Sequence, residues 1–463
     1  MVWRSTREIE ESQIINEEVI PLPISPNEIV ESVKKLGAED VISIVRDYEM
    51  KQIRFSNNKI DVVKEWRKKE VSLFISKDKK ISVSEIEVLG DEVEKEVLPR
   101  IISNLETFKP KEDYYGIPTG PFDYTEIKGI YDKKIETMDT ELVDKAEGAI
   151  NSALEQGVNR VAGTLYSIVE EVNLASSSGI EASEKGTEIK INVRAFLDEE
   201  RSGQWLSCSR DLGGFDPERA GEIAGEMATL SKEARSGEPG KYDLLLSPIV
   251  MGNLLDYVSF ATSIFYVEAG FSFLAEKLGE KIASEKVYLR DDPTIEGGLG
   301  SRKFDDEGFP TKNKYLIREG VLETYLHNHS TSKKYETNNT GNAGWISPRP
   351  FNLILEPGRK RMEEMISEIE RGILVNSNWY TRFQNYRTGD FSTIFRDGVY
   401  LIEKGEIRHR LKGLRMSENF LNFLKSIEEV GREEEKVEWW EVEIPVSTPP
   451  VWARNLRVTR ATK

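Results

Sequence analysis

The chain has 463 residues, of which 38% are hydrophobic and 31% are charged, and its formal net charge is −17. This balance is typical of a folded globular protein and excludes a disordered chain. The acidic surplus argues against a general nucleic-acid-binding protein, because phosphate contacts require clustered lysine and arginine. At roughly 150 residues per domain, the length predicts more than one domain.

The sequence predicts a cytoplasmic protein that does not enter a membrane. No stretch approaches about 18 uninterrupted apolar residues, so no transmembrane helix is predicted. Residues 1–11 are charged throughout and lack the apolar segment of a signal peptide. Cys208 is the only cysteine, which excludes an intramolecular disulfide and a cysteine-based zinc ribbon.

The first predicted elements are a helix and an antiparallel meander. Ser25 can cap the helix, Pro26 suits its first turn, and Glu28 completes a capping box. Alternating runs follow, with Asn57-Asn58 and the segment 77–80 as turns between them. The predicted strands are Val41–Val45, Ile53–Phe55, Ile60–Val63, Val71–Ile75 and Ile81–Val88.

The same order of elements recurs further along the chain and predicts two similar α+β units in an N-terminal domain of residues 1–235. Each unit has a helix, a set of strands and a second helix. The remaining elements are a helix over 91–105 kinked or divided by Pro99, a connector over 109–124, a helix over 142–154 ended by Gly157, a strand over 189–197, and a helix begun by Asp216-Pro217.

A connector over 236–240 predicts the start of a second domain, residues 236–463, which is also α+β. The predicted elements are a strand at Leu244–Leu246, a helix over 254–265, strands and tight turns over 287–329, a helix over 362–369, and a helix over 417–427.

Seven short strings in this second half occur in a distinctive order and spacing. They are Gly279–Ser284, Asp291–Thr294, Gly297–Ser301, Asp305–Gly308, Ile317–Leu322, Thr340–Ala343 and Thr388–Ser392. Over about 250–410, this ordered set resembles the C-terminal domain of the TldD/PmbA metalloprotease family. The resemblance implies a two-domain α+β architecture in which helices flank antiparallel sheets.

The zinc motif of the catalytic branch is absent. That branch carries HExxxH on a helix and a downstream cysteine, which together bind the zinc ion that activates water. None of the three histidines, His327, His329 and His409, begins such a string. A gap-free count from Gly279 places the motif on Leu255–Phe260, and the cysteine position reads Ser392. The chain therefore resembles the PmbA/TldE branch.

That resemblance implies a non-catalytic subunit, with no catalytic or metal-binding residue of its own and with zinc in a TldD-type partner. The expected assembly is a heterodimer with that partner, or a homodimer, and the expected substrate is an unfolded peptide. Peptidase activity is expected only with the partner. The candidate cleft residues are Asp306, Glu307, Gly308, His327, His329, Thr340, Asn342 and Asp390.

Two other functions are compatible with the residues. The run from Val321 is predicted as a strand that ends at the two histidines, so His327 and His329 point to one face and could hold a metal with a third ligand, such as His409 or a carboxylate. That arrangement predicts an autonomous metal-dependent hydrolase, whereas a polar strand end needs no function. The third alternative is a peptide-binding adaptor without a protease partner.

The carboxylates of Asp305, Asp306 and Glu307 also have two interpretations. They could bind a cation or act as acid–base groups. Neighbouring loop side chains rarely converge, however, so the string favours a turn stabilised by aspartate, with Gly308 at positive φ.

Overall fold

The computed structural model describes residues 25–87, 97–231 and 233–461. The helices are α1 (Pro26–Lys35), α2 (Leu98–Leu105), α3 (Lys133–Thr137), α4 (Glu141–Glu155), α5 (Pro217–Thr229), α6 (Pro248–Phe260), α7 (Ile264–Glu268), α8 (His329–Lys334), α9 (Met362–Glu368) and α10 (Phe420–Lys425). Across these described ranges, none of the helices has the length and apolar character needed to span a bilayer.

The strands range in length from two residues to 19 residues. They are β1 (Asp40–Ser56), β2 (Lys59–Lys77), β3 (Lys80–Glu87), β4 (Arg160–Ser176), β5 (Glu181–Phe196), β6 (Ser202–Ser209), β7 (Ala234–Ser236), β8 (Gly240–Leu246), β9 (Leu289–Asp291), β10 (Lys314–Arg318), β11 (Val321–Leu322), β12 (Leu353–Leu355), β13 (Arg371–Asn385), β14 (Asp390–Glu403), β15 (Glu406–Lys412), β16 (Leu414–Asn419), β17 (Ile427–Val430), β18 (Glu435–Trp439), β19 (Val442–Thr448) and β20 (Val451–Arg460).

The N-terminal sheet is antiparallel, with the strand order β3-β2-β1-β4-β5-β6. A helix, three strands and a helix occur twice, as α1-β1-β2-β3-α2 and α4-β4-β5-β6-α5. The two units join where β1 pairs with β4, from Ile42 opposite Ser176 to Phe55 opposite Gly163. The helices α1 and α2 cover one unit, and α4 and α5 cover the other.

Local sequence signals explain the first unit. The N–H of Ser25 donates to the carboxylate of Glu28 at 3.3 Å, as the predicted capping box requires. Both central residues of the two hairpin turns have positive φ, at Asn57-Asn58 and at Asp78-Lys79, which matches the right-handed strand twist. The predicted helix start and turns are confirmed.

Two predictions in this unit need correction. The runs predicted as separate strands are merged, because β1 is paired on both sides and β2 is continuous from Lys59 to Lys77. Pro99 lies in the first turn of α2, where its missing N–H costs no helical hydrogen bond, so it does not kink the helix. Residues 91–96 of the predicted helix, and Val88 at the end of the predicted strand, lie outside the described residues.

The C-terminal half contains two mixed sheets. One has the order β11-β10-β9-β12-β19-β18, and the other has the order β13-β8-β20-β16-β14-β15-β7, with β17 paired to β20. The predicted α+β class with antiparallel sheets flanked by helices is confirmed, and three strand pairs of this half are exceptions to the antiparallel pairing. The pairs β12–β19, β8–β13 and β7–β15 are parallel. The domain boundary at 235/236 stays a prediction, and β7 crosses it.

Helix α6 lies between these two sheets and contacts β13, β18 and β19. Only Tyr257 and Phe260 on α6 are not fully buried, which is the pattern of a helix enclosed nearly all round. The helix predicted over 254–265 is divided, because Phe265 belongs to α7. The helix predicted over 417–427 shrinks to α10, since Ser417 lies in β16 and Ile427 in β17.

Candidate functional site

Three adjoining cavities that share lining residues are here called the central cleft. Two of them lie between the N-terminal sheet and the C-terminal half, and the third is lined by residues of the C-terminal half. Their volumes are about 600, 720 and 710 Å³. Glu443 lines all three, and Phe260, Tyr266, Trp440 and Glu438 each line two. This size and position make the cleft the leading candidate for a binding site.

One wall of the cleft comes from the end of α6. Asp256 is buried, and its two carboxylate oxygens accept the backbone N–H groups of Glu443 at 3.0 Å and Ile444 at 3.2 Å. Burial raises the pKa of Asp256 to about 7, although these two hydrogen bonds favour the carboxylate. Asp256 therefore attaches β19 to α6.

Aromatic side chains form the rest of that wall. The hydroxyl of Tyr257 donates to the carbonyl of Thr381, and the Tyr257 ring lies 5.4 Å from that of Phe383. Trp440, in the turn between β18 and β19, is 62% exposed. The aromatic residues that line this part of the cleft are Tyr257, Phe260, Tyr266, Phe271, Phe383, Tyr386 and Trp440.

Charged side chains line the side of the cleft next to the N-terminal sheet. Asp306 is buried between Arg302 at 3.0 Å and Arg46 at 3.4 Å. Burial alone would raise the pKa of Asp306, but these guanidinium groups and that of Arg349 hold it below its ordinary value. Arg46 belongs to β1, so this cluster joins the two halves of the molecule.

A second buried cluster surrounds Lys190 on β5. Its ammonium group lies 2.6 Å from the carboxylate of Glu188 and 2.5 Å from that of Glu438. Burial and the neighbouring Glu188 raise the pKa of Glu438 to about 7. Burial opposes the charge of Lys190, but the two carboxylates raise its pKa. Because Glu438 lies on β18, this ion pair also joins the two halves.

Of the eight residues predicted from the sequence as cleft residues, only Asp306 lines the central cleft. The side chain of Glu307 is half-buried, and its carboxylate accepts the N–H of His329 at 2.9 Å. Burial and then the charge of Asp305 raise the pKa of Glu307. Gly308 has φ +74°, and a Cβ there would lie 2.7 Å from Ile180. These residues support the loop rather than face a ligand.

Asp305 forms the turn that the sequence favoured. Its carboxylate accepts the N–H groups of Glu307, Phe309 and Ala343 at 2.9–3.0 Å. Burial raises its pKa to about 7. The interpretation of this string as an acid–base cluster is therefore not supported, because the side chain of Asp305 is committed to the backbone.

The strand predicted through His327 and His329 is wrong. Strand β11 ends at Leu322, and Asn328 caps α8, which begins at His329. The N–H of His327 donates to the hydroxyl of Thr340, and burial lowers the pKa of the His327 imidazole to about 4. Within 25–87, 97–231 and 233–461, no group of three or more His, Cys, Asp or Glu is placed to hold a metal.

The last two predicted residues also stabilise loops. The amide of Asn342 donates to the carboxylate of Asp291 at 2.7 Å and to the carbonyl of Arg349 at 2.8 Å. Asp390 begins β14, where it accepts hydrogen bonds from Thr388 and Asn419. Asp390 is thus part of the strand-end turn and not of the cluster around Glu307 and His329.

The positions assigned to the zinc motif do not supply a set of zinc ligands. On α6, Leu255 is buried in the core, Asp256 accepts two N–H groups, and Phe260 faces the cleft. Ser392 lies on β14, where its hydroxyl accepts from Arg415 at 3.2 Å. Its neighbour Thr393 bonds instead to Thr381. Since side chains alternate along a strand, Ser392 points away from that network.

The residues opposite α6 come from the β18–β19 hairpin, which sequence reasoning missed. Trp440 and Glu441 form its turn, and Glu443 follows on β19. The one available signal was Trp439-Trp440, two adjacent tryptophans in a strongly charged segment. Nothing in the spacing of the sequence placed this hairpin beside a helix about 180 residues earlier.

Two models of one family match this chain. The model of the PmbA/TldA metallopeptidase C-terminal domain matches residues 239–460, and that of the central domain matches residues 131–232. The chain belongs to the PmbA/TldD metallopeptidase family. The resemblance seen in the sequence motifs is therefore confirmed.

Relatives in this family are archaeal and bacterial. A metalloprotease of Methanocaldococcus jannaschii is 33% identical over 211 residues, which is 43% of this chain and 46% of the relative. A metalloprotease of Methanothermobacter thermautotrophicus is 30% identical over 297 residues, 58% of this chain and 63% of the relative. The aligned regions span less than two thirds of both relatives.

Two solved structures share the whole fold. A Thermotoga maritima protein, described as a candidate modulator of a DNA gyrase, has a TM-score of 0.83 and 27% identity, over 94% of this chain and 99% of its own. TldE from Thermococcus kodakarensis also has a TM-score of 0.83, with 22% identity over the same shares of both chains. The second match supports the fold alone.

Proposed function

We propose that this protein is a non-catalytic, TldE-like subunit that pairs with a TldD-type zinc metalloprotease and helps to enclose an unfolded peptide. The observation that carries the proposal is the end of α6. It faces the central cleft with Asp256, Tyr257 and Phe260, without a histidine. The chain thus has a cleft of peptide-binding size in a metallopeptidase family, but not the family's zinc ligands.

The residues present do not fit a zinc ion. Zinc in proteins takes histidine, cysteine and carboxylate ligands in a tetrahedral set. Asp256 is the only such residue on the cleft-facing end of α6, and both its oxygens already accept backbone N–H groups. Its carboxylate is for the same reason badly placed to act as a general base. The zinc ion, and with it the activation of water, belongs to the partner.

The role of this chain is then to bind and to orient the peptide. Aromatic side chains supply apolar area at low entropic cost, because each has only two rotatable side-chain bonds. The rings around Tyr257 are held by one another and by the Tyr257 hydrogen bond, so this wall is formed before a ligand arrives. A preformed wall lowers the ordering cost of binding an unfolded chain.

The test is the zinc content and the peptidase activity of the pure chain, a TldD-type partner, and their mixture. We expect zinc with the partner, none bound stoichiometrically by this chain, and the highest activity in a mixture that co-elutes as one complex. Stoichiometric zinc and zinc-dependent cleavage by this chain alone would overturn the proposal. If this chain formed a homodimer and did not co-elute with the partner, the remaining function would be that of a peptide-binding adaptor without a protease partner.

A cleft variant separates binding from assembly. Phe260→Glu places a charge in the aromatic part of the cleft, so the mixture should lose activity while still co-eluting. Glu147→Gln is a matched control, since Glu147 is exposed on α4 and does not line the cleft. Full activity of the Phe260→Glu mixture would show that the peptide does not use this cleft.

A further inference from the structure

The central cleft contains a carboxylate without an internal partner. Glu443 is exposed and lines all three cavities. Among the residues that the structure describes, no lysine or arginine forms an ion pair with it. Its backbone N–H donates to the carboxylate of Asp256. Its side-chain charge is therefore available to a ligand.

The basic side chains of the cleft, by contrast, are already occupied. Lys190 pairs with Glu188 and Glu438, and Asp306 pairs with both Arg46 and Arg302. The other arginines contact uncharged groups. Arg210 donates to the carbonyls of Thr187 and Ser301, and Arg382 donates to the carbonyl of Thr381. Arg349 lies over the ring of Phe351. Across the lining of the three cavities, nine carboxylate side chains face six cationic side chains, so the cleft has a surplus of negative charge.

Trp440 adds a free aromatic face beside this carboxylate. Its ring is 62% exposed and is held by edge contacts at 5.3 Å with both Trp379 and Trp439. Nearby, Trp379 already carries the guanidinium groups of Arg194 at 4.5 Å and Arg396 at 4.7 Å. In the described part of the chain, no cation lies over Trp440.

We infer that the central cleft selects basic residues of an unfolded peptide, with a lysine or arginine side chain lying on Trp440 and pairing with Glu443. A cation over a tryptophan ring and beside a carboxylate gains from both contacts. The aliphatic part of the same side chain can lie along Tyr257 and Phe260. This inference rests on the proposed function, because it assigns the peptide's chemistry at that cleft.

The experiment measures binding of labelled peptides to the full chain by fluorescence anisotropy. The probes are short Gly-Ser-Ala peptides that contain one Lys, one Arg, one Glu or one uncharged norleucine. We expect the Lys and Arg peptides to bind roughly 3–10-fold more tightly than the norleucine peptide at low salt. The difference should shrink as salt screens the exposed pair.

Two substitutions locate the selectivity. Glu443→Gln and Trp440→Leu should each reduce the preference for Lys over norleucine severalfold, with little change for norleucine itself under Glu443→Gln. Glu147→Gln should leave all four affinities unchanged. If both cleft variants kept the full preference for Lys over norleucine, the assignment of the basic side chain to Trp440 and Glu443 would be overturned, even though the preference itself exists.

The remaining outcomes separate the two proposals. Equal binding of all four peptides, weakened by Phe260→Glu, would overturn the selectivity and leave the proposed function standing. If the norleucine peptide bound more tightly than the Lys and Arg peptides, the cleft would be an apolar site, and the inferred selectivity for basic residues would also be overturned. If no peptide binds to the chain, alone or mixed with a TldD-type partner, both the inference and the proposed function fail.

Discussion

Asp256 occupies the position that a gap-free count gives to the motif glutamate, yet its environment makes it structural. Both oxygens accept N–H groups of β19, and the carboxyl group is 4% exposed. A buried carboxylate without a cationic partner is costly, which is why its pKa is raised to about 7. The residue therefore links the stability of the cleft wall to pH.

The direction of that linkage follows from proton binding. The folded state binds the proton of Asp256 more tightly than the unfolded state, where the pKa is near 3.8. The stabilising contribution is complete below about pH 4 and is lost as the pH rises through about 7. In Asp256→Asn this contribution is absent, so the free energy of unfolding should change less between pH 4 and 7 than in the original chain.

Urea unfolding at a series of pH values, followed by circular dichroism, measures this difference. Asp123→Asn is the control, because Asp123 is exposed in a loop and should leave the pH profile unchanged. Asp256→Asn should also lower stability at pH 5 by about 1 kcal/mol, since the amide NH2 cannot accept an N–H. If the free energy of unfolding depended on pH in the same way for Asp256→Asn and for the original chain, Asp256 would not be the source of this pH dependence.

At the scale of elements, the junction between the two N-terminal units depends on one glycine. Gly163 on β4 lies opposite Phe55 of β1 and Val193 of β5. A Cβ there would lie 2.2 Å from the carbonyl oxygen of Asn192 and 2.4 Å from the ring of Phe55. The absence of a side chain lets the buried Phe55 ring cover the sheet at this point.

Gly163→Ala should therefore destabilise the protein by about 1–3 kcal/mol, because neither the backbone nor the packed ring can move away cheaply. The measurement is the free energy of unfolding in urea. Gly148→Ala, on α4, is a matched control, since its Cβ would meet only the flexible end of Glu218. That change should be neutral or stabilising by up to about 1 kcal/mol, because alanine favours a helix.

The sequence predicted elements well where local chemistry decides them. The cap at Ser25, the asparagine turn after β1, and the helix ended by Gly157 all depend on residues close in the chain. The merged strand β1 and the parallel pair β12–β19 could not be predicted in this way. Their formation depends on partners far away in the sequence, which override short-range patterns.

The candidate site shows the same limit. The strings around Asp305 and Thr340 were recognisable because they form compact loops, and they proved to be loop supports. The central cleft instead combines the end of α6, the β18–β19 hairpin and the face of the N-terminal sheet. Trp440 and Glu443 are neighbours in one hairpin, but only the folded chain brings them to Phe260, about 180 residues earlier.

At the scale of the whole molecule, buried charge holds the two halves together across the cleft. The links are Arg46 to Asp306, Lys190 to Glu438, and Arg194 to Asp397, all with one partner on the N-terminal sheet. Buried ion pairs contribute little over an apolar interface, but losing one partner leaves a charge uncompensated. These links therefore fix the geometry of the cleft more than they add stability.

Asp306→Asn tests this arrangement. The substitution leaves Arg302 and Arg46 without their shared carboxylate, whose side chain is 2% exposed, so stability should fall by about 3 kcal/mol at neutral pH. This difference in stability between Asp306→Asn and the original chain should disappear at acidic pH. The lowered pKa of Asp306 means that its contribution is present above its unfolded value of 3.8 and is lost as the pH falls below it.

Glu170→Gln provides the matched control for the same arginine. Glu170 lies 3.6 Å from Arg46, but its side chain is 41% exposed, so its removal should cost only about 0.5 kcal/mol. The measurement is urea unfolding monitored by tryptophan fluorescence, which reports on both halves because Trp66 and Trp205 lie in the N-terminal sheet and Trp379, Trp439 and Trp440 lie at the junction. If both variants lose the same small amount of stability, Asp306 does not join the two halves, and the cleft depends on apolar packing instead.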